Sequence, residues 1–301
     1  MARPKNDMAN AYDLAPPSDS RGGGGNAEEI DSPSVSAASG ELTWVETDLA
    51  LAGNGINFYL NRIYRSTYSF FHGKYGAGWD MSIQKMIKVK SWQGNGNPDG
   101  FMLSTGAAAT VDGWYAANGN WYYHAQERSK FYYENGGAQE QLILYMPYGF
   151  HETYTRLDSG SNYFYLTGLS DLSGNEITYS WDLTAIPVIT QVVDTIGRTI
   201  DLVYTVDGLL DYVTVKDSDG IEVGRLDYEY EPLDAGNPQL DEIAVLKSVE
   251  GLELATEDPV TGDVSMLRPK TEYAYYPGTV QGLDAALLHK MEFPRFGGHR
   301  V

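Results

Sequence analysis

His151-Glu152 begins like the His-Glu-x-x-His zinc-protease element, but Thr155 stands where the second histidine ligand is required. The other histidines, His72, His124, His289 and His299, share no ligand spacing, so no zinc site is written here. The chain has no cysteine, which removes thiolate chemistry, disulfides and cysteine-type metal sites. Gly76-Ala77-Gly78 could open a phosphate-binding loop, yet Met81 holds the third glycine position, and Trp79-Asp80 suits no phosphate cradle. Neither a G-x-S-x-G elbow nor a P-loop occurs. Two stretches are oxygen-rich enough to suggest calcium: Asp217, Asp219 and Gly220, and Asn95, Asn97, Asp99 and Gly100. Both lack the glutamate that closes an EF-hand, and both read as tight turns. With 41 acidic residues a glycosidase pair has many possible members, and its spacing across a cleft is not a sequence feature. Trp79, Trp114, Trp121, Tyr122 and Tyr123 could stack on sugar rings, or fill the inner face of a sheet; the second reading is preferred. No catalytic, cofactor-binding or metal residue is therefore expected.

The elements that would carry these residues are strands. Tyr is abundant at 23 copies beside 33 Gly, and long apolar runs are absent, as in short strands joined by tight turns. Ile56, Phe58 and Leu60 alternate with Asn57, Tyr59 and Asn61, and the habit returns at 86–89, 121–123, 142–145 and 163–166. Asp99-Gly100, Asp112-Gly113, Asn118-Gly119 and Asn135-Gly136 are expected to turn hairpins, because their residues tolerate positive φ. Helical spacing is scarce, with one short candidate near Leu283 to Met291. Residues 1–40, with Pro16-Pro17, Gly22 to Gly25 and a Ser/Ala stretch, bury too little apolar surface to order and read as a disordered leader.

The net charge of −20 opposes binding to nucleic acid or an anionic membrane, and no segment is long and apolar enough to span one. No cleavable signal is visible in the first 20 residues.

A repeat organises the second half. Asp171 to Gly174, Asp194 to Gly197 and Asp217 to Gly220 are D-x-x-G turns, with glycines 23 residues apart. An alternating strand follows the first two, through Ile177, Tyr179 and Trp181, then Ile200, Leu202 and Tyr204. A third resumes at Leu226, Tyr228 and Tyr230. One such unit is about one hairpin, which is marginal alone and must stack on its neighbours.

This pattern resembles the YD-repeat, or RHS, family, most closely in Gly197-Arg198, Tyr204, Asp207-Gly208-Leu209, Val213 and Asp217 to Gly220. Poorer copies open at Gly174-Asn175 and Gly224-Arg225, the latter interrupted by the acidic insertion Glu231 to Glu242. A fourth copy would start at Gly298 with Arg300 and Val301. Upstream, Gly40-Glu41, Thr47-Asp48-Leu49, Gly53 to Ile56, Arg62, Tyr64-Arg65-Ser66, Gly73 and Gly76-Ala77-Gly78-Trp79-Asp80 resemble the opening of bacterial RHS proteins. The resemblance implies an all-β, solenoid-like antiparallel sheet wound into a spiral, able to form a shell around a C-terminal toxin. The family core that releases such cargo is absent, Asp258 to Gly262 being a superficial echo of it.

The expected layout is a leader at 1–40, an N-terminal β region at 41–165 and YD repeats at 166–301. The expected role is that of a non-enzymatic scaffold, secreted or on the cell surface. Its partners would be the rest of a longer RHS-type polypeptide or a second copy, joined through an open C-terminal strand at 270–276 or 287–293. A possible glycan or cell-surface partner belongs to the alternative, a carbohydrate-binding β module; a glycoside hydrolase on a β fold comes after it.

Overall fold

The structure, a computed structural model, describes residues 34–36, 40–70, 72–104, 110–111, 114–123, 129–135, 137–234, 242–257, 264–280, 283–292, 295–296 and 299–300. Several expected features lie outside these residues: most of the leader, the Asp112-Gly113 turn, Gly136, the bulk of the acidic insertion, 258–262, Phe293, Gly298 and Val301. Among the described residues there is no α-helix, and the fold is all-β with large antiparallel sheets. The first described strand, Ser34–Val35, lies inside the expected leader and pairs with Leu42–Leu51. The Gly40 N–H closes the connecting turn on the Ser36 carbonyl, with Gly40 at φ +70.

Contacts group the chain into two compact units. Among the described residues, one comprises Leu49–Leu60 and Ser82–Gly197; the other comprises Ser34 to Asp48, Asn61–Met81 and those from Arg198 onward. In the first unit, strands from Tyr115–Asn118 through Val188–Val193 pair in chain order, each antiparallel to the last. Met86–Trp92 pairs with both Tyr163–Ser170 and Pro98–Ser104. Aromatic side chains fill the inner face: Phe101 and Trp114 stand 4.9 and 4.6 Å from Phe131, ring to ring.

The second unit continues the same plan through Thr199–Tyr204, Leu210–Lys216, Glu222–Pro232, Ala244–Glu250, Lys270–Val280 and Leu283–Glu292. Lys270–Val280 thus has a neighbour on each side and is not the open strand expected at 270–276. Its partner Leu283–Glu292 is where a helix was expected. Ten residues make a short helix, and pairing along the preceding strand, Tyr276 opposite Leu287 and Tyr273 opposite Met291, overrides the local spacing.

The Asn118-Gly119 turn forms as expected. Asp99-Gly100 does not turn; it lies within Pro98–Ser104, and the chain reverses at 93–97, where Gly96 takes φ +83. Gly94-Asn95-Gly96 supplies the better turn residues, so the hairpin closes there.

The three D-x-x-G turns share one internal geometry. In each, the aspartate Oδ1 accepts an N–H two residues on: Ser173 at 2.8 Å, Ile196 at 3.1 Å, Asp219 at 3.0 Å. The aspartate carbonyl accepts the glycine N–H, and Gly174, Gly197 and Gly220 take φ of +84, +85 and +81. The carboxylate therefore builds the turn, and the left-handed glycine completes it. A Cβ on Gly220 would meet nothing within 4 Å, so a substitution there costs backbone strain alone. Gly220→Val is expected to cost about 1–3 kcal/mol in urea unfolding, while Gly94→Ala, in equally open space without a positive φ, stays near wild type.

Candidate functional site: a buried arginine clasp

Strand Phe58–Arg65 alternates buried and half-buried side chains along its whole length, and its buried phase reads Phe58, Leu60, Arg62, Tyr64. An arginine in that phase must bring its own counterions, because an unpaired buried charge is prohibitively costly. The neighbouring strand Leu42–Leu51 supplies them. Arg62 Nε lies 2.7 Å from both carboxylate oxygens of Asp48, and Nη2 lies 2.9 Å from Glu46 Oε2. The side chains of Arg62, Asp48 and Glu46 are 1%, 2% and 10% exposed.

The repeat sheet of the same unit closes the site with tyrosines. Tyr228 Oη donates to Asp48 Oδ2 at 2.9 Å, and Tyr273 Oη donates to Glu46 Oε2 at 2.5 Å while accepting from Arg62 Nη2. The guanidinium carbon stands 5.0, 5.3 and 5.8 Å from the rings of Trp79, Tyr273 and Tyr75, within cation–π range. Arg62 Nη1 and the Tyr75 hydroxyl find no hydrogen-bond partner among the described residues.

Burial opposes the charge on Arg62, but Asp48, Tyr273 and Glu46 outweigh it and hold the group well above its ordinary value. Burial also pushes Asp48 up to about 6, against the pull of Arg62 and with Glu46 adding to the rise. Burial raises Tyr75, Tyr228 and Tyr273 as well, so all three hydroxyls keep their protons.

The glycine-rich segment beside the cluster lets backbone pass closely. Gly76, at φ +85, would place a Cβ 2.8 Å from the Ala244 carbonyl oxygen, and Gly78, at φ +80, would place one 2.6 Å from the Tyr64 ring. Between and beyond them, Ala77 packs on Val245 and Ala286, and Trp79 is fully buried. The Trp79 indole N–H donates to Tyr275 Oη at 2.8 Å, with Tyr64 and Tyr273 rings at 5.3 and 5.5 Å. Backbone contacts extend the hold: Leu210 N–H donates to the Lys74 carbonyl and Ala286 N–H to that of Ser69.

The other candidates fall elsewhere. His151 stacks on Tyr145, and Glu152 is buried between Lys85 Nζ and Tyr154 Oη, both at 2.6 Å. Asp217 spends its carboxylate on turn N–H groups, and Asn95 Oδ1 accepts from Asn97 N–H. Among the described residues no three histidine, aspartate or glutamate side chains gather as metal ligands. Trp114 and Tyr122 are buried, as is Trp79. Trp121 is tilted against Tyr132 and Tyr145 under Lys130, so its ring is already covered by neighbours.

Residues 33–97, which hold this opening segment, match the family described as "Domain of unknown function (DUF6531)". The fold resembles the crystal structure of TcdB2-TccC3, with a TM-score of 0.54 at 12% identity over 82% of this chain and 17% of that one. TcdB2-TccC3-TEV gives 0.53 at 13% identity over 85% and 17%. The Tc holotoxin pore of Photorhabdus luminescens gives 0.50 at 12% identity over 84% and 19%. The family match is confined to the opening segment, and the likeness to these solved structures is one of fold. The chain spans less than a fifth of the solved chains it resembles. No curated protein matches it.

In this chain the opening segment and the repeat sheet meet at one place. Asp48, Arg62, Tyr64, Gly76, Gly78 and Trp79 from the opening segment face Tyr228, Tyr230, Tyr273 and Tyr275 from the sheet. Tyr230 Oη donates to the Leu210 carbonyl at 2.7 Å, and the half-exposed Arg225 pairs with Asp227 while its guanidinium lies over Tyr212. Glu46, Tyr75 and the role of Tyr273 were missed in the sequence. Their signal was Arg62 in an apolar phase, opposite a strand with acids at alternate positions 46 and 48. Removing one partner of a buried pair leaves the others uncompensated, so Arg62→Ala is expected to cost about 3–5 kcal/mol by chemical denaturation. Trp79→Ala should cost about 3–5 kcal/mol as well, from the cavity it leaves. Arg225→Ala, at a half-exposed pair, should stay within about 1 kcal/mol.

Proposed function

We propose that this chain is a non-catalytic wall segment of an RHS-type shell, whose opening segment clasps the repeat sheet from the face its tyrosines line. The observation that carries this reading is the fate of the conspicuous side chains. Arg62, Glu46, Asp48 and Trp79 are consumed in packing and pairing, leaving none of them aimed at a substrate. The likeness in fold to TcdB2-TccC3 supports a toxin-associated shell. On this reading, residues 41–165 form the N-terminal region and 166–301 the repeats of a longer, secreted or surface-exposed polypeptide, and the wall encloses a C-terminal cargo.

The buried Trp79 weighs against a sugar platform built on that residue, as does the covered ring of Trp121. The test is protease protection of whatever follows residue 301 in the full polypeptide. With residues 41–301 present, that region should survive at least about tenfold longer than without them, since cleavage tracks the population of the open form. Equal lifetimes with and without the segment would remove the shell reading.

A further inference from the structure

The clasp contains a charge imbalance that its packing cannot screen. Two carboxylates, Glu46 and Asp48, share one guanidinium in a site where all three side chains are nearly or fully closed to solvent. The groups facing Asp48 come from every element around it. They are Glu46 on its own strand, Arg62 on Phe58–Arg65, Tyr75 from the glycine-rich segment, Tyr228 and Tyr230 on Glu222–Pro232, and Tyr273 on Lys270–Val280. Arg62 is the one cation in that set. The tyrosines donate hydrogen bonds but cannot cancel a net charge. A surplus negative charge held out of water is unfavourable unless something neutralises it, and a proton from solvent, converting one carboxylate to the neutral acid, is the smallest group that can.

We propose that the Arg62 cluster is a proton-operated clasp: its carboxylate pair takes up one proton in mildly acid solution, tightening the opening segment on the sheet, and releases it towards neutral pH, loosening that hold.

The direction follows from linkage. Asp48 is pushed up by burial to about 6 from an ordinary value of 3.8, so between these values the folded chain holds a proton that the unfolded chain has lost. That contribution is fully present below the lower value and is lost as pH rises through the upper one. Asp227 behaves oppositely. Its hydrogen bonds from Arg225 and Arg268 overcome burial and lower it, so its contribution is lost as pH falls. The clasp therefore runs against the acid sensitivity of the surface pairs, and a variant comparison can isolate it.

The proposal rests on the reading of the cluster as a clasp, but its test is blind to cargo and to shell, so the two can fail separately. Unfolding of the 301-residue chain and of Asp48→Asn would be followed from about pH 4.5 to about pH 8. That substitution leaves Glu46 as the single carboxylate against the guanidinium. Across that range the wild-type unfolding constant should rise on the order of tenfold or more relative to the variant. Glu46→Gln, which removes the same surplus from the other side, should flatten the profile likewise. Parallel profiles for wild type and both variants would overturn the proposal. Should neither variant fold, the carboxyl-carbon NMR titration of Asp48 in the wild-type chain decides: a midpoint near 6 supports the clasp, and one below about 4 ends it.

Discussion

A guanidinium held in the apolar phase of a strand is the constraint on which this architecture turns. Left unpaired, Arg62 would make the strand Phe58–Arg65 unable to bury its inner face, because the cost of an isolated interior charge exceeds the net stability of a domain. Every element in contact with it therefore has a fixed task. Leu42–Leu51 must present two acids on one side of the strand, at alternate positions. Glu222–Pro232 and Lys270–Val280 must each bring a hydroxyl, and the glycine-rich segment must bring Trp79 close enough for its ring to face the cation. A one-residue slip of any of these strands would turn its side chain to the opposite face. The cluster thus specifies register more than it adds stability, since a well-packed apolar replacement of a buried ion pair is often no less stable.

Much of this was legible along the chain. Period two marked the strand Phe58–Arg65, and the aspartate-to-glycine spacing marked three turns that prove alike in hydrogen bonding. These features are local: a strand phase and a four-residue turn are set by neighbours in sequence. The failures were decided at longer range. Leu283–Glu292 carries helical spacing yet pairs along Lys270–Val280, because an adjacent strand of matching length outweighs a weak propensity. Asp99-Gly100 is a good turn that lost to a better one a few residues away. Within the site, Arg62, Asp48 and Trp79 stood out as family anchors. Tyr273 lies 211 residues from Arg62, and no local pattern announces that pairing.

The two units meet the same problem with different balances. In the first, Lys85 Nζ and Tyr154 Oη both donate to the buried Glu152 carboxylate, one cation and one hydroxyl on a single acid. In the second, one arginine faces two carboxylates. Arginine suits that place because its planar fork engages Asp48 through Nε and Glu46 through Nη2 at once, whereas an ammonium is a single point charge. The second cluster carries a surplus, and it sits where the opening segment meets the repeats.

That location follows from how hairpin repeats are held together. Each repeat buries one face only, and its outward ion pairs, such as Lys216–Asp201 and Lys270–Glu229, are too exposed to add much. Cohesion must come from the inner face, where Tyr228, Tyr230, Tyr273 and Tyr275 find their partners. Tyrosine rings supply buried area, but each hydroxyl then needs a partner away from water. A wholly apolar opening segment would cover the rings and strand the hydroxyls. The segment present here meets them with carboxylates, an indole N–H and a backbone carbonyl, which is why its Asp, Glu and Trp residues are buried rather than displayed.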